Sequence, residues 1–116
     1  MNDPQETVAP ADFRELTELH DMASHACDLL KAMANEWRLI ILCQLSEGEK
    51  TVSELQSVLG LSQSALSQHL AVLRREKIVS ARKSAQSVFY SLAGDEATKV
   101  METLHELVCG ARANKD

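Results

Sequence analysis

Residues 51–76 have the sequence TVSELQSVLGLSQSALSQHLAVLRRE, which predicts two short helices joined by a turn. Thr51 and Glu54 have the spacing of a capping box, in which a hydroxyl and a carboxylate satisfy free N–H groups at a helix N-terminus. Gly60 then breaks the first helix, and Ser62 is an N-cap candidate for the second. The segment is therefore a helix-turn-helix candidate.

The second of these helices, expected over residues 63–76, has two different faces. At about 100° per residue, Leu66, Leu70 and Leu73 share one face, which predicts the buried side. The other face of the helix carries hydroxyls, amides and two arginines, and residues 55–75 contain no Asp or Glu. The alternative is an ordinary solvent-exposed helix, but such a helix usually carries both positive and negative side chains. Such a face suits the major groove, where Gln pairs with adenine and Arg holds guanine or phosphate. The DNA contacts predicted here are Ser62, Gln63, Ser64, Ser67, Gln68, Arg74 and Arg75.

After residue 78 the apolar period changes from 3.6 to 2, which predicts two short strands, 79–83 and 87–92, joined by a Ser-Ala-Gln-Ser turn. A hairpin directly after a recognition helix is called a wing. Its predicted phosphate or minor-groove contacts are Arg82, Lys83 and Gln86. For each of them, the alternative is a charged or polar residue that protects a short edge strand from aggregation.

Three further helices are predicted from apolar residues at steps of three and four. The first begins at Asp12 and has an acidic outer face. The second is capped by Asn35 and is apolar on nearly all sides, as a central buried helix should be. The last begins near Asp95 and ends at Cys109 and Gly110.

These elements predict a mainly α fold with a small β-hairpin, a winged helix-turn-helix with the order α-α-α-α-β-β-α. The chain has 116 residues, enough for one core. We expect one domain at residues 11–110, between a disordered N-terminal tail at 1–10, which holds both prolines, and a flexible C-terminal tail at 111–116.

The net charge of −5 is unevenly distributed along the chain. Residues 1–30 contain seven acidic residues and one basic residue, whereas residues 62–92 contain five basic residues and one acidic residue. A phosphate backbone responds to the local charge, so the second region remains suited to DNA. Four aromatic residues are too few for a platform that stacks single-stranded bases.

No membrane partner is expected, because the longest apolar run, residues 39–43, is far shorter than the roughly 20 residues of a membrane span. The N-terminus has no basic region followed by an apolar stretch, as a secretory signal would. We therefore expect a cytoplasmic protein whose three cysteines begin as thiols.

With these elements in place, the sequence resembles the ArsR/SmtB family of bacterial winged-helix repressors, and within it the thiol- and persulfide-sensing branch. The resemblance covers roughly residues 20–109 and implies a homodimer packed through the first and last helices, bound to palindromic double-stranded operator DNA. The matching segments are LKAMANEWRL at 30–39, VSEL at 52–55, LSQSALSQHL at 61–70 and VFYSL at 88–92.

Cys43 and Cys109 match the cysteine pair of that branch. From the residues alone, the favoured explanation is that the two cysteines are small buried hydrophobes. The resemblance implies instead a redox-sensing pair, which reactive sulfur species or an oxidant would join through a disulfide or polysulfide bridge. His105, one turn before Cys109, can favour its thiolate, and Cys27 lies on the apolar stripe of the first helix and is expected to be structural.

The residues argue against two other functions. A metal-responsive repressor of the same family would need several side chains that converge on one metal ion. The third helix has no Cys or His, and in the last helix Ala97 stands two residues after Asp95, where the family's metal site needs a ligand. We therefore expect no metal and no cofactor. A thiol enzyme such as a small peroxidase lacks an acid–base constellation, so no catalytic residue is predicted. An anti-silencing activator of virulence genes and a winged helix that binds only protein remain alternatives. The inducer, operator and target genes are left open.

Overall fold

The structure, a computed structural model, describes residues 13–110, so both predicted tails lie outside the described residues. Its order of helices and strands confirms the predicted winged helix-turn-helix. A π-helical turn, Glu106–Gly110, continues the last helix. The helices are α1 (Phe13–Met33), α2 (Glu36–Leu45), α3 (Val52–Leu59), α4 (Gln63–Arg75) and α5 (Glu96–His105), and the strands are β1 (Lys50–Thr51), β2 (Val79–Ser84) and β3 (Ser87–Leu92).

The helix boundaries follow local capping signals. Asn35 Oδ1 accepts a hydrogen bond of 3.1 Å from the backbone N–H of Arg38 at the start of α2. At α3 the capping box is complete: Thr51 Oγ1 accepts from Glu54 N at 3.1 Å, and Glu54 Oε1 accepts from Thr51 N at 2.8 Å. Gly60 ends α3 with φ +73°, a left-handed conformation that glycine adopts without steric cost.

The sheet has three antiparallel strands in the order β1-β3-β2, one more than the sequence predicted. β1 is only two residues long and has no alternation to detect; it is a strand because Lys50 pairs with Tyr90 and Thr51 with Phe89. The predicted hairpin is confirmed, with Ser84 opposite Ser87 and a two-residue turn between them. In that turn Ala85 has φ +56°, as the tight turns of twisted hairpins require.

The core lies between α2, α3, α4 and the sheet. Leu66, Leu70 and Leu73 are buried, which confirms the predicted inner face of α4. The expectation that α2, apolar on nearly all sides, is a central buried helix was wrong. Its Ile41 and Leu42 are buried, but Trp37 and Ile40 are each 40% exposed, because the core packs against only one side of the helix.

The long helix α1 leaves much of its apolar stripe uncovered in the protomer. Ala32 and Met33 at its C-terminal end belong to the core, but Leu16, Leu19 and Met22 are more than half exposed. Cys27, expected to be structural within that stripe, is exposed as well. Within residues 13–110, no helix is long and apolar enough to cross a membrane.

Candidate nucleic-acid interface and thiol pair

The outer side of α4 carries the residues predicted to contact DNA. Opposite the buried leucines, the side chains are exposed and include no carboxylate from the start of α4 to Arg75. The two arginines occupy its last turn, where positive charge interacts favourably with the helix dipole. The exposed residues of this group, which we call the reading face, are Ser62, Gln63, Ser64, Ser67, Gln68, Arg74 and Arg75.

Two members of the reading face also have structural contacts. Ser62 Oγ accepts a hydrogen bond of 3.1 Å from Ala65 N and so caps α4, which leaves its hydroxyl hydrogen free to be donated. Arg75 borders a groove between α1 and α4, together with Asp28 and Glu76. Lys31 and Arg38 line the same groove, so both acidic and basic side chains border it beside Arg75.

The wing contains one cation that is engaged within the protein. Arg82 donates Nε–H to Glu49 Oε2 at 3.1 Å and Nη2–H to the other oxygen, and its guanidinium lies 4.6 Å from the centre of the Phe89 ring. The hydrogen bond from Arg82 lowers the pKa of Glu49 below its ordinary value, and the guanidinium charge adds to this. Lys83 and Gln86 are exposed near the tip of the hairpin. The partner Glu49 was missed because only the pairing of β1 with β3 brings it to the wing.

Arg38, which the sequence analysis did not single out, connects three helices. From α2, its Nε donates to the carbonyl of Ala32 at 2.5 Å and its Nη2 to that of Lys31 at 3.3 Å, near the end of α1. Its Nη1 lies 3.4 Å from Nδ1 of His69 on α4. Burial lowers the pKa of His69, and the charge of Arg38 lowers it further, which favours the neutral imidazole. The sequence signal that could have identified Arg38 is that it is the single arginine in the largely apolar helix α2.

Cys43 borders a cavity of about 520 Å³ between the end of α2 and one side of α5. Burial raises the pKa of the Cys43 thiol above its ordinary value, and the charges of Cys109 and Glu47 raise it further. Cys109 therefore lies within electrostatic range of Cys43, although both thiols are free and exposed in the protomer. The residues around the cavity are Cys43, Ser46, Leu92, Thr98, Met101, Glu102, His105 and Glu106.

The backbone that carries Cys109 departs from the expected helix. The α-helical pattern of α5 ends at His105, and the next five residues form the π-helical turn. A π-turn closes hydrogen bonds one residue later than an α-turn, so side chains after His105 are rotated relative to an unbroken helix, and such turns often occur at functional sites. Apolar periodicity did not reveal this change.

His25 forms an ion pair that joins α1 to the first turn of α5. Its Nε2 lies 3.0 and 2.9 Å from the two carboxylate oxygens of Glu96. The hydrogen bond to Glu96 raises the pKa of His25, as do the charges of Glu96, Asp28 and Glu76. Among residues 13–110, no group of three or more His, Cys, Asp or Glu side chains is arranged to hold a metal ion.

Comparison with known proteins identifies the family to which the chain is similar. Residues 35–81 match the profile described as bacterial regulatory protein, arsR family. The transcriptional activator HlyU of Vibrio cholerae is 55% identical over 96 residues, which cover 83% of this chain and 89% of HlyU. The biofilm growth-associated repressor of Agrobacterium fabrum is 38% identical over 107 residues, 90% of this chain and 92% of the repressor. The solved structure of reduced HlyU from Vibrio cholerae, 55% identical, superposes with a TM-score of 0.75 over 79% of this chain and 97% of that one.

Proposed function

Since the chain belongs to the ArsR family of bacterial transcriptional regulators, we propose that it is a homodimeric repressor that leaves its operator when a bridge joins Cys43 to Cys109. The observation that carries the proposal is that Cys43 borders a cavity whose other wall includes His105 and Glu106, next to the turn that carries Cys109. It occurs in a fold whose α4 exposes a face without carboxylates. Reactive sulfur species or another thiol oxidant act as the inducer.

The reading face enters the major groove, and the wing contacts the flanking backbone. Gln68 lies opposite the leucine stripe and is our candidate for pairing with an adenine edge. Ser64 and Ser67 are small enough to let the helix approach the bases, and Ser62 with the first-turn N–H groups holds a phosphate. The remaining phosphate or groove contacts are Gln63, Arg74, Arg75, Lys83, Gln86 and, after it exchanges Glu49 for a phosphate, Arg82.

The homodimer forms through α1 and α5. Each presents large apolar side chains to solvent in the protomer, and a soluble protein rarely leaves such a set uncovered. A twofold axis would bring the stripes of two copies together and place two α4 helices on successive major grooves, about 34 Å apart. The side chains proposed for this interface are Leu16, Leu19 and Met22 of α1 and Leu104, Leu107 and Val108 at the C-terminal end.

The switch begins at Cys109, because burial raises the pKa of Cys43 and so disfavours the thiolate form of that residue. With an organic persulfide RS–SH, the Cys109 thiolate attacks the outer sulfur, the S–S bond breaks, and RS⁻ leaves with a Cys109 persulfide in place. Cys43 then loses its proton and attacks the Cys109 sulfur, which expels HS⁻ and forms the disulfide. Two electrons pass from the two thiols to the sulfane sulfur. If Cys43 also accepts a sulfur first, closure releases H₂S and leaves a trisulfide.

The bridge reaches DNA through α2. Cys43 lies at the C-terminal end of this helix, and Arg38 near its start contacts both the end of α1 and His69 of α4. Tying α2 to the turn after α5 therefore acts on the dimer helices and on α4 together. A hundredfold loss of operator affinity requires roughly 2.7 kcal/mol of coupling, within the range of allosteric proteins.

The names of the relatives support the regulatory role. The Agrobacterium fabrum relative is named a repressor, and the HlyU structure is described as that of the reduced protein. HlyU itself is named a transcriptional activator, which favours a second candidate function, an activator that displaces a silencer. Both functions use the same reading face and the same switch.

The experiment begins with operator DNA selected by the reduced protein from a random pool. Cys43→Ser and Cys109→Ser are expected to bind it like the unaltered protein and to keep their affinity after treatment with an organic persulfide, whereas Cys27→Ser, the matched control, loses affinity like the unaltered protein. If either pair variant still releases DNA on treatment, the pair is not the switch. Gln68→Ala is expected to weaken binding to the selected sequence by roughly five- to a hundredfold.

A further inference from the structure

Arg38 connects α1 to α4, the helix that carries the reading face. Its Nε and Nη2 donate to the carbonyl oxygens of Ala32 and Lys31 at the C-terminal end of α1. Its Nη1 lies 3.4 Å from Nδ1 of His69 on α4. A guanidinium is planar, and its N–H groups point in fixed directions. The two donors bound to the backbone of α1 therefore fix the direction of the third, which meets α4.

The contact with Arg38 fixes the tautomer of His69. Arginine has donors only, so Nδ1 of His69 accepts from Nη1, and the ring proton of the neutral imidazole is on Nε2. Burial lowers the pKa of His69, and the charge of Arg38 lowers it further. A second proton on the ring would turn an N–H group and a positive charge towards the guanidinium, and the hydrogen bond would be lost.

Other charged side chains border the nearby groove between α1 and α4. They are Asp28 and Lys31 of α1, Arg38 of α2, and Arg75 and Glu76 at the end of α4. Positive and negative groups are both present there, and within residues 13–110 the charge that shifts the pKa of His69 is that of Arg38. Protonation of His69 therefore acts first on its contact with Arg38.

We propose that Arg38 is a positioning residue that holds α4 against the end of α1 through a neutral His69, and that uptake of a proton by His69 weakens operator binding. The inference rests on the proposed function, in which α1 forms the dimer and α4 enters the major groove. The distance between the two α4 helices of a dimer then depends on how each is attached to its own α1. His69 directly follows Gln68 of the reading face, so a displacement at His69 reaches the base contacts.

The first test compares operator affinity at different pH values. Fluorescence anisotropy with the selected operator is measured between about pH 5 and pH 8 on the reduced protein and on reduced His69→Asn. Asparagine places an amide oxygen close to the position of Nδ1 and takes up no proton in this range. The affinity of the unaltered protein divided by that of the variant cancels the titration of the groups they share. This ratio is expected to fall by about tenfold from the upper to the lower end of the range. His20→Asn, the same change at an exposed histidine of α1, should leave the pH profile unaltered.

The second test separates positioning from folding. His69→Leu has no acceptor for Arg38, and Arg38→Lys keeps the charge but lacks the planar fork that reaches both helices. Each is expected to weaken binding to the selected operator by about tenfold at the upper end of the pH range. Each should also reduce, by about fivefold, the preference for that operator over one with a single base pair inserted between its half-sites. A variant that is merely less folded would bind both operators less and keep the preference.

The inference is overturned if the affinity ratio with His69→Asn does not change with pH, or if His69→Leu keeps both the affinity and the spacing preference. Because every sample is reduced, these results do not depend on a bridge between Cys43 and Cys109. If the operator is bound but the variants behave like the unaltered protein, the proposed function stands and the positioning role falls. If the protein selects no operator, the proposed function fails, and the positioning role fails with it.

Discussion

Removal of the Glu49 carboxylate is expected to strengthen operator binding, because it releases Arg82 for a DNA phosphate. In the structure the guanidinium donates to both Glu49 oxygens and lies over the Phe89 ring. A phosphate that approaches Arg82 meets the carboxylate as well, so the arginine contributes little net charge. Glu49→Gln keeps a side chain of the same size and removes only the charge.

The size of the effect follows from counterion release. Each phosphate neutralised by the protein steepens the plot of log affinity against log salt by about 0.9. A dimer has two wings, so Glu49→Gln is expected to steepen the slope by up to about 1.8, which over a fourfold change in salt corresponds to roughly a tenfold change in affinity. Lys83→Ala is expected to flatten the slope by the same amount. Arg82→Ala is expected to flatten it by less than half as much, because its charge is already paired.

Fluorescence anisotropy with labelled operator, between about 50 and 200 mM salt, measures these slopes. The double variant Glu49→Gln with Arg82→Ala is expected to lose the whole gain of the single Glu49 variant. Glu36→Gln changes the net charge equally but lies outside the wing, and it serves as the control. The reasoning is refuted if Arg82→Ala flattens the slope as much as Lys83→Ala, or if Glu49→Gln leaves it unaltered.

Three further predictions concern the fold. Leu66→Ala leaves a cavity in the core and is expected to lower the free energy of unfolding by roughly 3–5 kcal/mol. A urea titration at fixed protein concentration measures this loss, and a loss under about 1 kcal/mol would contradict the burial of Leu66. Thr51→Ala removes the capping hydroxyl that Glu54 N–H uses and is expected to cost about 1 kcal/mol in the same assay, with the exposed Ser57→Ala as a control that shows no such loss. Glu96 raises the pKa of His25, so the stability that this ion pair contributes is complete below the ordinary value of 6.5 and is lost as pH rises through the raised pKa. His25→Ala should therefore destabilise the protein at pH values below 6.5 and have no effect in alkaline solution. A loss of stability that does not depend on pH would count against the pair.

The sequence by itself determined the elements that local interactions decide. The capping box at Thr51 and the glycine at residue 60 depend on groups within a few positions of one another, so α3 and the turn to α4 were predictable. The leucine stripe of α4 was predictable for the same reason, since a period of 3.6 places Leu66 and Leu70 on one side wherever the helix is packed.

Only the tertiary structure decided which distant residues meet. β1 exists because β3 pairs with it, and that pairing carries Glu49 to Arg82 across 33 positions of sequence. The same holds for the cavity beside Cys43, whose walls come from α2 and α5. The π-helical turn at Cys109 was likewise absent from the apolar pattern. Such contacts depend on how whole helices and strands pack, and the spacing of residues within one segment does not identify the residue that it contacts in a distant segment.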